Sequence, residues 1–362
     1  MAVGCGTERG AVGSEPSVED NGNDNSQEQS MDDSDGENDH TEESADDDGE
    51  HTTTNDDPGE ESDLPMFDLV VPDLTPEEGG EACDVDLLFI IDNSVSMGDY
   101  QTAIGLAFPA FAESLRATLP SATNVHVGVT SSEMGYSSSG NTSQGPNGCT
   151  FTGDNDADYE TFYVTPDVSN SGRNGAQGRL YRPEGKDAFF AIDMSADEKE
   201  FEALADWFRS AAAVGTGGSN IEMITAPVGW VAAPENDAVN HGFVRDRGTV
   251  MVAFFMQDEP DQTPSTIDGE PGGEALLERL AAAKAACGGV ECIVAGGFTD
   301  LEACGGTRPI RGFVDGLTRP AAIAPLPNGG SPQEIADQMN ELLTTALLAT
   351  IEEACNDIVP PK

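Results

Sequence analysis

Five consecutive residues, Asp92-Asn93-Ser94-Val95-Ser96, set one carboxylate and two hydroxyls at alternate positions. They offer three oxygen donors with a single negative charge, which suits a small hard cation. Magnesium takes oxygen ligands in an octahedron at about 2.0–2.1 Å and keeps water or an outside ligand where the protein leaves a position open. Two further segments carry donors of the same kind. The run Gly215-Thr216-Gly217-Gly218-Ser219 presents a hydroxyl from Ser219 or Thr216, and Asp258 supplies a second carboxylate. The cation expected is Mg2+, with Ca2+ and Mn2+ as alternatives. Asp and Ser also serve as plain helix caps, but a carboxylate and two hydroxyls in one turn exceed what a cap needs.

Those donors must be positioned by the elements around them. Val85 to Ile91 is apolar except for Asp86, the pattern of a strand buried on both faces of a parallel sheet, and the donor run follows it directly. Ile104, Phe108, Phe111, Leu115 and Leu119 recur at helical spacing, with Pro109 predicting a kink or break. Val125 to Thr130 reads as a strand, and residues 131–190 as a long surface insertion with a short strand at Thr161 to Val164. Ser195 with Glu198 forms a capping box ahead of a helix carrying Phe201, Leu204 and Phe208. The glycine-rich run leads into a short helix. Val250 to Met256 reads as a strand that leads to Asp258. A helix is expected over Glu274 to Cys287, a strand over Cys292 to Ala295 and a terminal helix over Pro332 to Ala354. Such alternation predicts an α/β fold, a doubly wound and mostly parallel sheet with helices on both faces. In such sheets ligands bind at the carboxyl ends of the strands, where all three donor loops fall.

The stretch VDLLFIIDNSVSM resembles the first strand and metal loop of the von Willebrand factor type A domain, whose metal-ion-dependent adhesion site is built on D-x-S-x-S. The likeness runs from residue 84 to about 355 and is closest to lipoprotein-like versions in bacteria such as myxobacteria. Those share a helix like LAFPAF, a GTGGS turn and a strand ending in an acidic cluster. The resemblance implies that Asp92, Ser94 and Ser96 hold the metal, that Ser219 is the second-loop hydroxyl and that Asp258 is the third-loop carboxylate. It further implies that an Asp or Glu carboxylate from a protein partner completes the coordination. Three positions depart from the pattern: Val95 stands where many members have Gly, Ser219 where Thr is usual, and Glu259 where Gly commonly follows Asp258. Glu259, with Asp261 close by, adds charge that would shift preference toward calcium.

The 362 residues carry 67 acidic and 16 basic side chains, a net charge of −51. That excludes the cationic face nucleic-acid binding requires. The first 80 residues hold 26 of the acidic groups against Arg9 alone. Ser14 to Glu61 has almost no apolar side chains, so residues 1–80 read as a disordered acidic tether and residues 81–362 as the folded domain. Asp33 to Glu42 has faint calcium-loop spacing, with Gly36 at the turn, but the first ligand position falls on Met31 and the segment reads as a solvated spacer.

Ala2-Val3-Gly4-Cys5 resembles the small-residue box before a lipidated cysteine, although the basic and apolar leader that should precede it is absent from this sequence. Lipidation at Cys5 would be the one membrane attachment, since no apolar run is long enough to span a bilayer. The other six cysteines suggest an oxidising compartment and three disulfides in any of 15 pairings. A bridge from Cys83 to Cys355 would clamp the ends of the domain, leaving Cys287 with Cys292 and Cys149 with Cys304. The expected location is the cell envelope, as an outer-membrane lipoprotein or a secreted or periplasmic protein. Enzyme signatures are missing: there is no H-E-x-x-H, G-x-S-x-G or phosphate loop. A metal-dependent hydrolase with Glu259 as base is the enzymatic alternative, and a metal-stabilised scaffold is the alternative among binding proteins.

Overall fold

The computed structural model describes residues 83–134, 143–144, 149–151, 156–157, 174–218 and 221–358. All lie in the second of the chain's two units, Met1–Val70 and Val71–Lys362. Cys5, the acidic tether, Ser219 and the strand expected at Thr161 to Val164 fall outside the described residues.

Six strands build the main sheet: β1 Asp84–Ile91, β2 Asn124–Ser131, β3 Phe189–Asp193, β4 Thr249–Met256, β5 Ile293–Phe298 and β6 Ala322–Ala324. Their order across the sheet is β6-β5-β4-β1-β2-β3. Every neighbouring pair is parallel except β2 with β3. This is the doubly wound arrangement, in which the chain departs from β1 first to one side and then to the other. Ile91 is in register with Ser131 on one side and Met256 on the other, so three strands end together at the crevice where such sheets bind ligands.

Alternation along β1 separates two cores. Val85, Leu87, Phe89 and Ile91 face α1 Gly98–Thr118, α2 Glu198–Ala212 and the C-terminal helix, whereas Leu88 and Ile90 face the opposite layer. That layer contains α3 Ala226–Trp230, α4 Gly272–Ala283 and α5 Pro309–Asp315. On the first face Phe108 stacks on Phe208 at 3.8 Å and Phe89 meets Phe208 edge-on at 4.7 Å. Each buried phenylalanine contributes about 1.5–3 kcal/mol, so this cluster fixes how α1 leaves the end of β1. The C-terminal helix runs as α6 Pro332–Glu341, passes through a π-helical turn Leu342–Leu347 and continues as α7 Leu348–Ile358.

Several local expectations need correction. Pro109 does not interrupt α1, which runs through it for 21 residues; Phe108 and Phe111, both fully buried, hold the segment against the sheet. The capping box belongs to Asp197 and Glu200, two residues later than the Ser195 and Glu198 pair. The expected surface insertion is part core: Leu180 is fully buried, and the Gly175 carbonyl accepts from Ser131 N at 2.9 Å and from the Thr130 hydroxyl at 3.0 Å. Its polar groups bond the buried end of β2, and its last residues begin the antiparallel edge strand β3. The helix expected from Glu274 lies at Gly272–Ala283, and the strand expected from Cys292 lies at Ile293–Phe298. The disulfides are Cys83–Cys355, Cys149–Cys304 and Cys287–Cys292, the expected pairing.

At the opposite end of the sheet from the donor loops, Asp86 is buried and accepts from Arg245 N at 2.8 Å and Nε at 2.7 Å. Lys284 Nζ lies 3.7 Å from the same carboxylate and donates to the Arg245 carbonyl. Burial holds Asp86 above its usual pKa and Lys284 below its own. The cluster pins the loop before β4 to the start of β1.

Candidate metal centre

Asp92 sits where β1 leaves the sheet, its N–H still bonded to the Met256 carbonyl at 2.9 Å. Gln101, in the first turns of α1, donates through Nε2 to the Asp92 carbonyl at 2.9 Å and to the Gly215 carbonyl at 2.8 Å. One buried amide thus ties the strand end to the glycine-rich turn. The side chain of Asp92 is fully buried. Oδ1 accepts from Ser94 N at 2.7 Å, while Oδ2 has no hydrogen-bond partner among the described residues.

After Asp92 the chain makes a single 3-10 turn, Val95–Met97, before α1. Met97 buries itself in the core, which leaves Ser94 and Ser96 directed outward and Val95 84% exposed. The two serine hydroxyls lie 3.0 Å apart, and Ser96 Oγ donates to Asp258 Oδ1 at 3.2 Å. Asp258 follows the end of β4, so two loops distant in sequence meet at one edge. Asp92, Asp258 and Glu259 each place a carboxylate oxygen within 4.8 Å of the other two.

The glycine-rich turn packs on the same loop. Gly218 N donates to the Asn93 carbonyl at 3.1 Å, and a Cβ at Gly218 would lie 2.3 Å from Asn93 Oδ1. Only glycine admits this approach. Thr216, the other hydroxyl considered for this turn, is exposed, and its methyl group faces Gly98 at the start of α1. Of the predicted donors, the structure brings Asp92, Ser94, Ser96 and Asp258 together, while Ser219 lies outside the described residues.

Two acidic residues stand differently from expectation. Asp261 is engaged elsewhere: it is buried, Oδ1 accepts from Thr263 N and Oγ1, and Oδ2 accepts from Thr225 Oγ1 and Ile310 N. It staples the loop after β4 to α3 and α5. Glu222, which sequence reasoning missed, lies beside Asp92 and is 2% exposed. Its Oε2 accepts from the Ser132 hydroxyl at 2.5 Å, and that hydroxyl is also 3.2 Å from Asn93 Oδ1. The available signal was a lone charge inside the apolar run Ile221-Glu222-Met223-Ile224.

Asp92 and Glu222 lie in a poorly solvated space, and Asp258 and Glu259 crowd its exposed rim. Burial pushes Asp92 up to about 6, a rise opposed by the hydrogen bond from Ser94 N–H. Burial first, and then Asp258, push Glu259 up to about 8. Burial and the neighbouring Asp92 hold Glu222 well above the ordinary carboxylate range. A divalent cation fits such a donor set. It would supply the positive charge that the unpaired, buried Asp92 Oδ2 lacks, and it takes hydroxyl and carboxylate oxygens of this kind.

No protein-family model matches the chain, and no curated protein does. Among solved structures it is similar to a von Willebrand factor type A protein from Catenulispora acidiphila, at 14% identity and a TM-score of 0.32. The match covers 74% of this chain and 43% of that one, so this chain spans less than half the length of that protein.

Proposed function

We propose that this chain is a cation-dependent protein-binding module of the cell envelope. Asp92, Ser94, Ser96 and Asp258 hold the cation, and a protein partner presents an Asp or Glu carboxylate to its exposed side. The observation that carries the reading is the Asp92 carboxylate, fully buried with Oδ2 unpaired, at the strand edge where Ser94, Ser96 and Asp258 converge. When bound, the cation supplies a strong electrostatic contact for an incoming anion in an otherwise acidic surface.

The rim supports the reading. Val95 is a large apolar side chain left 84% exposed beside the serines, a contact suited to a partner surface. Glu259 is exposed and close to Asp92 and Asp258. A partner carboxylate that takes its place leaves the charge of the site unchanged, whereas one added to it does not. The three disulfides favour an oxidising compartment. Lipidation at Cys5, with the acidic segment as tether, belongs to the same proposal. No described helix is long and apolar enough to cross a membrane.

The complete burial of Asp92 also suits a second reading, in which the cation only stabilises the loops of a scaffold. Capture of envelope proteins on the immobilised full chain separates the two. The binding module predicts partners retained by wild type with Mg2+ or Ca2+, released by chelator and absent from Asp92→Ala. Partners that survive chelation on a folded chain favour the scaffold.

A further inference from the structure

Glu222 has no part in the donor set read from the sequence, yet like Asp92 it is an acidic group buried at this edge. One of its oxygens is held by Ser132; the other, Oε1, is buried with no hydrogen-bond partner among the described residues. Asp92 Oδ2 is in the same state, and the two carboxyls touch. Two such carboxyls in contact away from water are costly unless a proton or a cation lies between them. The described residues bring no Lys, Arg or N–H group to either oxygen.

The segment is also held in place. Glu222 N donates to Gln262 Oε1 at 2.7 Å, and Gln262 N returns a bond to the Glu222 carbonyl at 2.8 Å. Glu222 is therefore pinned to the loop that carries Asp258 and Glu259, while Ser132 fixes its carboxyl plane.

We propose that Glu222 is a ligand of the same cation, reaching it from the buried side while Ser94, Ser96 and Asp258 face it from the exposed side, and that this makes the site one for calcium. The proposal rests on the reading of Asp92 given above. Calcium takes six to eight oxygens and accepts several carboxylates, whereas magnesium uses one or two and keeps several waters. Asp92, Asp258 and Glu259 place carboxylate oxygens within 4.8 Å of one another, and Glu222, in contact with Asp92, would add a fourth carboxylate from the buried side; with the two serines such a set suits calcium. Glutamine at position 222 would keep the volume, accept from Ser132 through Oε1 and donate from Nε2 to Asp92 Oδ2. It would satisfy the metal-free pair and remove a ligand.

The test uses the full chain stripped with chelator, as wild type, Glu222→Gln, Glu222→Asp and Asp92→Ala. Calcium chloride and magnesium chloride are titrated calorimetrically, and thermal melting is followed without metal. We expect Glu222→Gln to melt higher than wild type without metal, to bind calcium at least about tenfold more weakly and to lose the preference over magnesium. Glu222→Asp, which retains the charge but withdraws it by one methylene, should also weaken calcium more than magnesium. Calcium affinity unchanged in both variants would mean that a shared proton alone joins the two carboxyls, and would overturn the proposal. So would a Glu222→Gln protein that melts lower and binds both cations equally poorly, the mark of a packing role. Loss of binding in Asp92→Ala with Glu222→Gln unaffected would remove Glu222 and leave the site standing. Wild-type affinity in Asp92→Ala would remove the site itself.

Discussion

In the absence of divalent cation this fold should lose stability as pH rises, and Asp92→Asn should remove most of that loss. Burial raises Asp92 from 3.8 to about 6. A group whose folded pKa is raised binds its proton more tightly in the native state. Its stabilising effect is fully present below the unfolded value near 4 and disappears as pH climbs through about 6. A shift of roughly two units corresponds to about 3 kcal/mol. For a domain of this size each kcal/mol moves the melting temperature by about 2–4 °C, so the Asp92 contribution is about 6–12 °C. Glu259 acts in the same direction and extends the loss through about 8.

Differential scanning calorimetry in chelator at pH steps from 4 to 9, on wild type and Asp92→Asn, reads the difference directly. Asparagine removes the charge, and its amide can donate toward Glu222. The variant should therefore have the flatter profile and melt above wild type at pH 8. Saturating calcium or magnesium should flatten the wild-type profile and leave the variant unmoved. Parallel profiles for the two proteins in chelator would refute the reasoning, because Asp92 would then be paired by something the geometry does not include.

Gly218→Ala should weaken cation binding and destabilise the loop by roughly 1–3 kcal/mol, since the new Cβ collides with the Asn93 amide; chemical denaturation and calorimetric titration would measure both. Arg245→Met should cost about 3–5 kcal/mol by urea denaturation while leaving cation affinity intact, because it strands Asp86 and Lys284 at the far end of the sheet. Replacing Cys83 and Cys355 together by serine should cost about 2–5 kcal/mol, as that bridge closes a loop of 272 residues; a wild-type melting temperature in the double variant would contradict it.

The sheet was legible because β1, apart from Asp86, and β4 are apolar runs that lead into polar donors, the pattern of strands buried on both faces of a parallel sheet. Three of the candidate donors lie in one pentapeptide after β1, and Asp258 follows β4, which pairs with β1 in the sheet. What escaped were relations between distant residues. Glu222 has no local spacing to announce it; its partner Ser132 lies 90 residues away, just past the end of β2. Asp261 sits beside the acidic cluster in sequence, but Thr225 and Ile310 draw it into the loop anchor. Residues 174–182 look like surface by composition because their polar groups and backbone carbonyls satisfy the end of β2. Pro109 tells the same story for helices, since packing by neighbouring phenylalanines outweighs the local preference to break.

The central claim is that a cation is held at this strand edge by Asp92, Ser94, Ser96 and Asp258. Calorimetric titration of magnesium into the chelator-stripped full chain, beside Asp92→Ala, tests it most directly. Diffuse association with the acidic segment contributes equally to both proteins, so their difference reports the site. The account predicts a saturable one-to-one component in wild type that is missing from the variant. Superimposable isotherms from two folded proteins would contradict it.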